Sequence, residues 1–439
     1  MKTQKKQIFI MLLLLGAFVF LYSCKEDSQE GQPTINSISI RFLPDDPIAS
    51  HLNDSIVTGG AQSSIVPGNW IVIKGSNLSQ TRHVYINNME VTLNSTFIAS
   101  DNIILQIPAD VPTLATDSNV PNTVVVETAG GSASIDLVMR PPAPQILSIS
   151  NEFALPGNTI TINGSSFYSV TQVLFPGNIP GTNVSVKDAK TLTVTVPEGI
   201  PDTGGAIVIT ALGGKSVTKN GARFREIGGI FAGFENGIEA DFQNWGFTYG
   251  IKEISFAPPV PFINGNYLEM TNFDGTNWNT IAAPMWWDGN LECVIVADFT
   301  SVLQHIPSST PASKLAFKFE LYSTQDWNSG EFSADFHETW DWEQRMLIWP
   351  YWDPVPSNRK PIKTSDWITI TIPFSDFLGG RVNKLGDISD SNEFHWFLFN
   401  YEPANASGVG SIKQGKNRVG IPIEKFDLFF DNFRVVTIN

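Results

Sequence analysis

A ten-residue run occurs twice in this chain, and that duplication constrains its fold more than any other feature. Pro67-Gly68-Asn69-Trp70-Ile71-Val72-Ile73-Lys74-Gly75-Ser76 is matched by Pro156-Gly157-Asn158-Thr159-Ile160-Thr161-Ile162-Asn163-Gly164-Ser165, so that Pro156 stands 89 residues after Pro67. The same offset carries Val84-Tyr85-Ile86 onto Val173-Leu174-Phe175, Ile107-Pro108 onto Val196-Pro197, and Pro112 onto Pro201. A repeat at such a period marks a duplicated fold unit. Within each copy, Ile71-Val72-Ile73 and Leu192-Thr193-Val194-Thr195-Val196 read as strands, and Pro-Gly and Gly-Gly bound them as turns. Each copy therefore reads as a small β-sandwich. Between Ile40 and Ser64 the first copy carries an insertion that the second lacks, which reads as a surface loop, with a contact surface as the alternative. The joint Arg140-Pro141-Pro142-Ala143-Pro144 resists helix, and the pair is expected to act as a semi-rigid spacer.

The rest of the chain is built for something else. Of 12 tryptophans, only Trp70 lies in the first half, and all the others fall between Trp245 and Trp396. An indole offers a flat apolar face with one N–H on its edge, which suits a ligand with apolar patches and many hydroxyls, such as a sugar. Alternating runs thread this region. Leu315, Phe317, Phe319 and Leu321 share one face of a strand whose other face carries Lys318, Glu320 and Tyr322. Trp367-Ile368-Thr369-Ile370-Thr371-Ile372-Pro373 and His395-Trp396-Phe397-Leu398-Phe399 read the same way, which predicts a two-sheet sandwich with Trp367 and Trp396 in its core.

Length and charge narrow the partners. A chain of 439 residues suggests two to four domains, and 42% apolar with 16% charged residues places it among folded, β-rich proteins. The formal charge of −15 opposes nucleic acids and other anionic polymers and favours a neutral partner. At the N-terminus, Lys2, Lys5 and Lys6 precede the apolar run Ile8 to Leu21 and then Tyr22-Ser23-Cys24. That run falls short of the roughly 20 residues that span a bilayer, so it reads as a secretory signal. Two cysteines make no disulfide framework, and Cys293 is expected to be a buried strand thiol.

Five aromatic residues are the candidate ligand platform: Trp286, Trp287, Trp245, Trp349 and Tyr351. Trp286 and Trp287 precede Asp288-Gly289, a turn signal, and adjacent residues of extended chain point to opposite sides, so one is expected to face the ligand. In Arg345-Met346-Leu347-Ile348-Trp349-Pro350-Tyr351-Trp352, a period of two puts Trp349 and Tyr351 on one side, as a two-ring platform or as an inward-facing pair. Trp245 lies in a polar, glycine-bounded stretch, and Trp340 and Trp342 rank lower. Chemistry is sparse. Gly410 to Asn417 misses a phosphate-binding loop because Asn417 replaces Ser or Thr, and the five histidines show no ligand spacing. Asp288, Asp335 and Glu338 are the first suspects for a hydrolytic pair, but no motif selects two of them. Glu235 with Asp431 is the pairing considered for a structural Ca²⁺, while no metal, cofactor or catalytic residue is expected.

These pieces resemble known families. Leu21-Tyr22-Ser23-Cys24 resembles a bacterial lipobox, in which Cys24 would be lipidated, and Lys25-Glu26-Asp27 resembles the surface-export signal of Bacteroidetes lipoproteins. The repeats, from about Pro33 to Glu226, resemble immunoglobulin-like IPT/TIG domains. Phe231-Ala232-Gly233-Phe234-Glu235-Asn236-Gly237 and Phe426 to Val436 resemble the first and last strands of jelly-roll carbohydrate-binding modules. The whole resembles the surface glycan-binding proteins of Bacteroidetes polysaccharide-utilisation systems. The resemblance implies an all-β chain: signal peptide 1–23, linker 24–33, IPT/TIG-like domains 34–141 and 142–226, and a glycan-binding β-sandwich 227–439. It also implies a non-catalytic lipoprotein on the outer membrane that captures a neutral plant or fungal polysaccharide, such as xyloglucan, mixed-linkage β-glucan or β-mannan. An outer-membrane glycan transporter is a further partner that the resemblance leaves open. The alternatives are a secreted glycosidase and a surface adhesin that binds protein.

Overall fold

The computed structural model describes residues 31–41, 56–57, 65–219, 221–234, 251–252, 265–272, 283–284, 291–328, 331–336, 346–349, 356–376, 382–390, 393–399 and 426–438. The chain divides into two units, Met1–Pro142 and Ala143–Asn439.

In the first unit the strands are β1 (Thr34–Ile40), β2 (Ile56–Val57), β3 (Trp70–Ser76), β4 (Thr81–Ile86), β5 (Met89–Glu90), β6 (Asn102–Gln106), β7 (Thr123–Thr128) and β8 (Gly131–Asp136). Two antiparallel sheets, ordered β2-β1-β3-β6 and β5-β4-β7-β8, enclose Ile38, Ile71, Ile73, Val84, Ile103 and Val124. The insertion is not wholly a loop. Its Ile56 and Val57 pair with Ser39 and Ile38, adding β2 as an edge strand.

The second unit opens with the other copy: β9 (Gln145–Ile149), β10 (Thr159–Ser165), β11 (Gln172–Phe175), β12 (Ile179–Pro180), β13 (Thr182–Asp188), β14 (Thr191–Thr195), β15 (Val208–Ala211) and β16 (Gly214–Val217). Its sheets run β13-β14-β10-β9 and β12-β11-β15-β16 around Ile160, Ile162, Phe175, Leu192, Ile209 and Phe224. The duplicated sequence is matched by duplicated backbone. Gly68 and Gly157, which follow the repeated prolines, both have φ of +89°, a left-handed turn conformation that glycine adopts without steric cost. Gly75 and Gly164 lie where β3 and β10 pass a bulge in the partner strand, and a Cβ there would come within 1.8 Å of the Thr34 carbonyl oxygen and 1.9 Å of that of Gln145. The repeat keeps Gly-Ser at that point because nothing larger fits.

The Trp-rich region folds as the expected sandwich. Its elements are β17 (Ile230–Ala232), β18 (Ile251–Lys252), β19 (Tyr267–Asn272), β20 (Ala283–Pro284), β21 (Leu291–Val296), α1 (Thr300–His305), β22 (Leu315–Ser323), β23 (Glu331–Asp335), β24 (Met346–Trp349), β25 (Ile368–Pro373), β26 (Glu393–Phe399) and β27 (Phe426–Thr437). One sheet runs β18-β19-β27-β22-β25, with β17 also on β27, and the other runs β20-β21-β26-β23-β24. The core between them is aromatic. Phe332 stacks on Trp396 at 4.7 Å between ring centroids, and Phe317, Phe319, Phe430 and Phe433 close around the pair. Trp367 and Trp396 are buried, as the sequence predicts. A bulge lets β27 do this: its register with β22 shifts between Lys318 and Glu320, and Asn432 takes φ of +50°. The phase of the strand changes there, so Phe430 and Phe433 both reach the core.

The alternation in β22 is real, but its second face is not at solvent. Lys318 and Glu320 are 1% and 0% exposed, covered by the segment that follows β9. With two buried faces, β22 is the middle layer of the second unit. The all-β expectation holds, α1 being the α-helical segment among the described residues.

Candidate functional site

Strand register decides where the candidate aromatic residues leave the sandwich. In the five-stranded sheet, Pro284 pairs with Leu291, Leu291 with Leu398, Glu331 with Phe399, and Phe332 with Trp349. The ends of all five strands are thus aligned, from β20 at one edge to β24 at the other. Four strand spacings of about 4.8 Å make that rim about 19 Å wide. Trp286 and Trp287 lie in the connection between Pro284 and Leu291, and Tyr351 follows Trp349, so both segments depart from this one rim. Trp286, Trp287, Tyr351 and Trp245 themselves lie outside the described residues, as does Cys24.

Trp349 is described, and its position is half-buried. Its ring meets Phe319 edge-on at 5.4 Å and Trp327 at 5.6 Å. It therefore anchors the end of β24 on the core while leaving part of its surface free. A second anchor lies close by. Trp327 is buried, and its backbone exchanges two hydrogen bonds with Ile362, at 2.9 Å and 2.8 Å.

The same register shows what the sequence reading passed over. Phe332 and Ala334 of β23 and Phe394 and Trp396 of β26 face the core, so positions 331, 333, 395, 397 and 399 fall on the opposite face of the sheet by strand alternation. Position 399 lies at the rim and 397 two residues in.

Carboxylates gather at the matching end of the six-stranded sheet, where β22 finishes and β27 starts. Asp427 accepts the Thr324 hydroxyl through Oδ2, and its buried Oδ1 has no hydrogen-bond partner. Burial, and then the charge of Glu269, push its carboxyl up to about 6. Burial also raises Asp366 against the opposing Trp367 backbone N–H, and raises the Tyr322 phenol with help from Asp366 and Asp427. Of the carboxylates suspected of catalysis, Asp288 and Glu338 lie outside the described residues, while Asp335 sits at the end of β23 remote from the rim. Of the suggested Ca²⁺ pair, Glu235 lies outside the described residues, and Asp431 accepts the Asn432 backbone and side-chain N–H groups at 2.7 and 3.1 Å. Among the described residues no cluster of three His, Cys, Asp or Glu is placed to hold a metal ion. Nor does any helix among them have the length and apolarity to cross a membrane.

Comparison with known proteins adds to this geometry. Residues 224–437 match the family model of the surface glycan-binding protein B xyloglucan-binding domain, and residues 56–138 match the IPT/TIG domain. An IPT/TIG domain-containing protein of Bacteroides ovatus is 22% identical, with 98% of each chain covered. The crystal structure of the surface glycan-binding protein PbSGBP-B from Prevotella bryantii aligns with a TM-score of 0.57 at 18% identity, over 93% of this chain and 99% of that one. A second solved structure, SGBP-B from a complex xyloglucan utilisation locus in Bacteroides uniformis, aligns with a TM-score of 0.49 at 19% identity, over 92% and 99%.

Proposed function

We propose, from the premise that residues 224–437 belong to the family of surface glycan-binding protein B xyloglucan-binding domains, that this chain captures a neutral β-linked polysaccharide without cleaving it. That family match carries the reading. Xyloglucan or mixed-linkage β-glucan is the substrate class, with β-mannan as the third polymer to test. The ligand lies along the rim of the five-stranded sheet, with its C–H faces stacked on Trp286 or Trp287 at one edge and on Tyr351, backed by Trp349, at the other. Trp245 is assigned to the same platform. Asp, Asn and Gln side chains there exchange hydrogen bonds with hydroxyls. Cys24 carries the lipid that holds the protein on the outer face of the outer membrane, and the IPT/TIG-like domains 34–141 and 142–226 stand between that anchor and the sandwich 227–439. An outer-membrane glycan transporter is the partner to which captured polymer passes.

Magnitudes support a weak site used many times. If each ring removes on the order of 100 Å² of apolar surface from water, three rings yield about 7 kcal/mol gross, against association costs of at least about 4. Affinity then lies nearer millimolar than nanomolar, before hydroxyl hydrogen bonds are added. Many anchored copies on one long polymer compensate.

Native gels containing xyloglucan, mixed-linkage β-glucan, β-mannan or no polymer test the reading, using the chain without residues up to Cys24. Retardation by at least one polymer is expected, lost in Trp286→Ala or Trp287→Ala, with no reducing ends released from that polymer. Release of reducing ends would make the protein a glycosidase. Unchanged mobility in all three polymers would leave the adhesin reading in its place.

A further inference from the structure

The covered face of β22 holds a charge network that neither the family match nor the glycan reading uses. Lys318 and Arg434 are buried cations from the middle of the six-stranded sheet, and Glu320 is a carboxylate of the same sheet that bonds to Arg434. Arg434 donates to Glu320 at 2.7 and 2.9 Å, and Thr369 adds a hydrogen bond to Glu320 at 3.0 Å. Glu226 adds a half-buried carboxylate that is charge-coupled to both cations, but a second carboxylate hydrogen-bonded to them comes from Glu152, far off in the preceding IPT/TIG-like copy. It takes the Lys318 ammonium on Oε1 and Arg434 Nη2 on Oε2 at 2.8 Å, and is itself about 1% exposed.

The same short segment makes backbone and aromatic contacts with the sandwich as well. The Glu152 backbone N–H donates to Thr369 Oγ1 at 2.8 Å, and the Thr369 N–H donates to the Ser150 carbonyl at 2.8 Å. Lys318 also donates to the Gly221 carbonyl at 2.7 Å. The Phe153 ring lies 5.0 Å from the Arg434 guanidinium, a cation–π distance, and packs into a buried cluster with Tyr267, Trp367 and Phe429. Burial lowers the Lys318 pKa although Glu152 opposes it. Burial pulls Arg434 down too, but Glu320 and Glu152 outweigh it and raise it overall.

We propose that Ser150–Ala154 is a structural part of the C-terminal sandwich, and that Ala143–Asn439 folds and unfolds as one cooperative unit keyed by Glu152. On this account residues 224–437, the span of the family match, do not suffice for a stable binding domain. A buried ion network is weak evidence of net stabilisation, since apolar residues of the same shape often do as well. Breaking it on one side is a different matter, because the stranded charge stays buried. The network therefore makes the sandwich depend on a residue from another domain.

Urea unfolding of the full chain, carrying Trp70→Phe so that every remaining tryptophan reports on the C-terminal sandwich, tests this. The 142–226 domain contains no tryptophan. Two variants in that silent domain are compared: Glu152→Ala at the junction, and Ile209→Ala in its core, on the sheet that does not carry β9. Each is expected to lower the midpoint of the tryptophan transition by about 1 M urea or more. If Glu152→Ala does not accumulate as folded protein, Glu152→Gln, which preserves the shape, supplies the same reading. A tryptophan transition that stays within about 0.2 M of its starting midpoint in Ile209→Ala, or in the Glu152 variant, overturns the proposal.

Discussion

Asp427 illustrates how one side chain can set a pH dependence for the whole sandwich. Its folded-state pKa of about 6 lies above the ordinary carboxylate value, so the folded chain binds this proton more tightly than the unfolded chain does. The sign follows: stability is highest below the unfolded value of about 4 and is lost as pH rises through 6. Asp427→Asn keeps the acceptor for Thr324 and removes the charge. It is expected to raise the melting temperature at pH 7.5, by an amount equivalent to about 1–3 kcal/mol, with the gain gone at pH 4. Calorimetry at the two pH values checks this, and an equal gain at both would assign the effect to packing. Trp349 and Tyr351 separate support from recognition. Trp349→Ala should cost about 2 kcal/mol because its ring packs on Phe319 and Trp327. Tyr351→Ala should leave the melting temperature in place while weakening polymer binding.

At the level of strands and turns, the repeat makes a ranked prediction. A methyl at Gly68 meets nothing within 4 Å and suffers only from the positive φ, a cost of about 1–2 kcal/mol. At Gly75 it meets the Thr34 carbonyl, so Gly75→Ala must push two paired strands apart. Gly75→Ala should therefore lower the melting temperature of the first unit well beyond Gly68→Ala, and Gly164→Ala should do the same for the second copy. Scanning calorimetry of the three variants gives the order. These elements were legible because their signals are local: Pro-Gly turns, Gly-Ser strand ends, and tryptophans set inside alternating apolar runs. The junction was not. Glu152 and Arg434 stand 282 residues apart, and no period or motif connects them. The alternation of β22 was legible, but not what would cover its polar face, because Lys318 and Glu320 look like an ordinary solvated side until a second domain is placed on them. Candidate rings on the two edge connections were legible as aromatic residues in polar surroundings. That both connections leave one rim required the pairing of five strands.

For the whole molecule, the layout divides the work. The two immunoglobulin-like copies have cores of aliphatic and β-branched residues with few aromatic rings, and 11 of the 12 tryptophans belong to the C-terminal sandwich region. A −15 chain suits neutral polymer and repels polyanions, so binding should change little between low and moderate salt. Recognition of a neutral β-glycan by rings on one rim is the proposed mode of binding. Calorimetric titration with oligosaccharides of xyloglucan and of mixed-linkage β-glucan tests it most directly, on the chain without residues up to Cys24 and on its Tyr351→Ala, Trp286→Ala and Trp70→Ala variants. A saturable exothermic isotherm is expected with at least one of the sugars, in the micromolar to millimolar range, unchanged in Trp70→Ala and lost or weakened at least tenfold in a rim variant. No heat with either sugar, or binding that survives both rim substitutions, would contradict it.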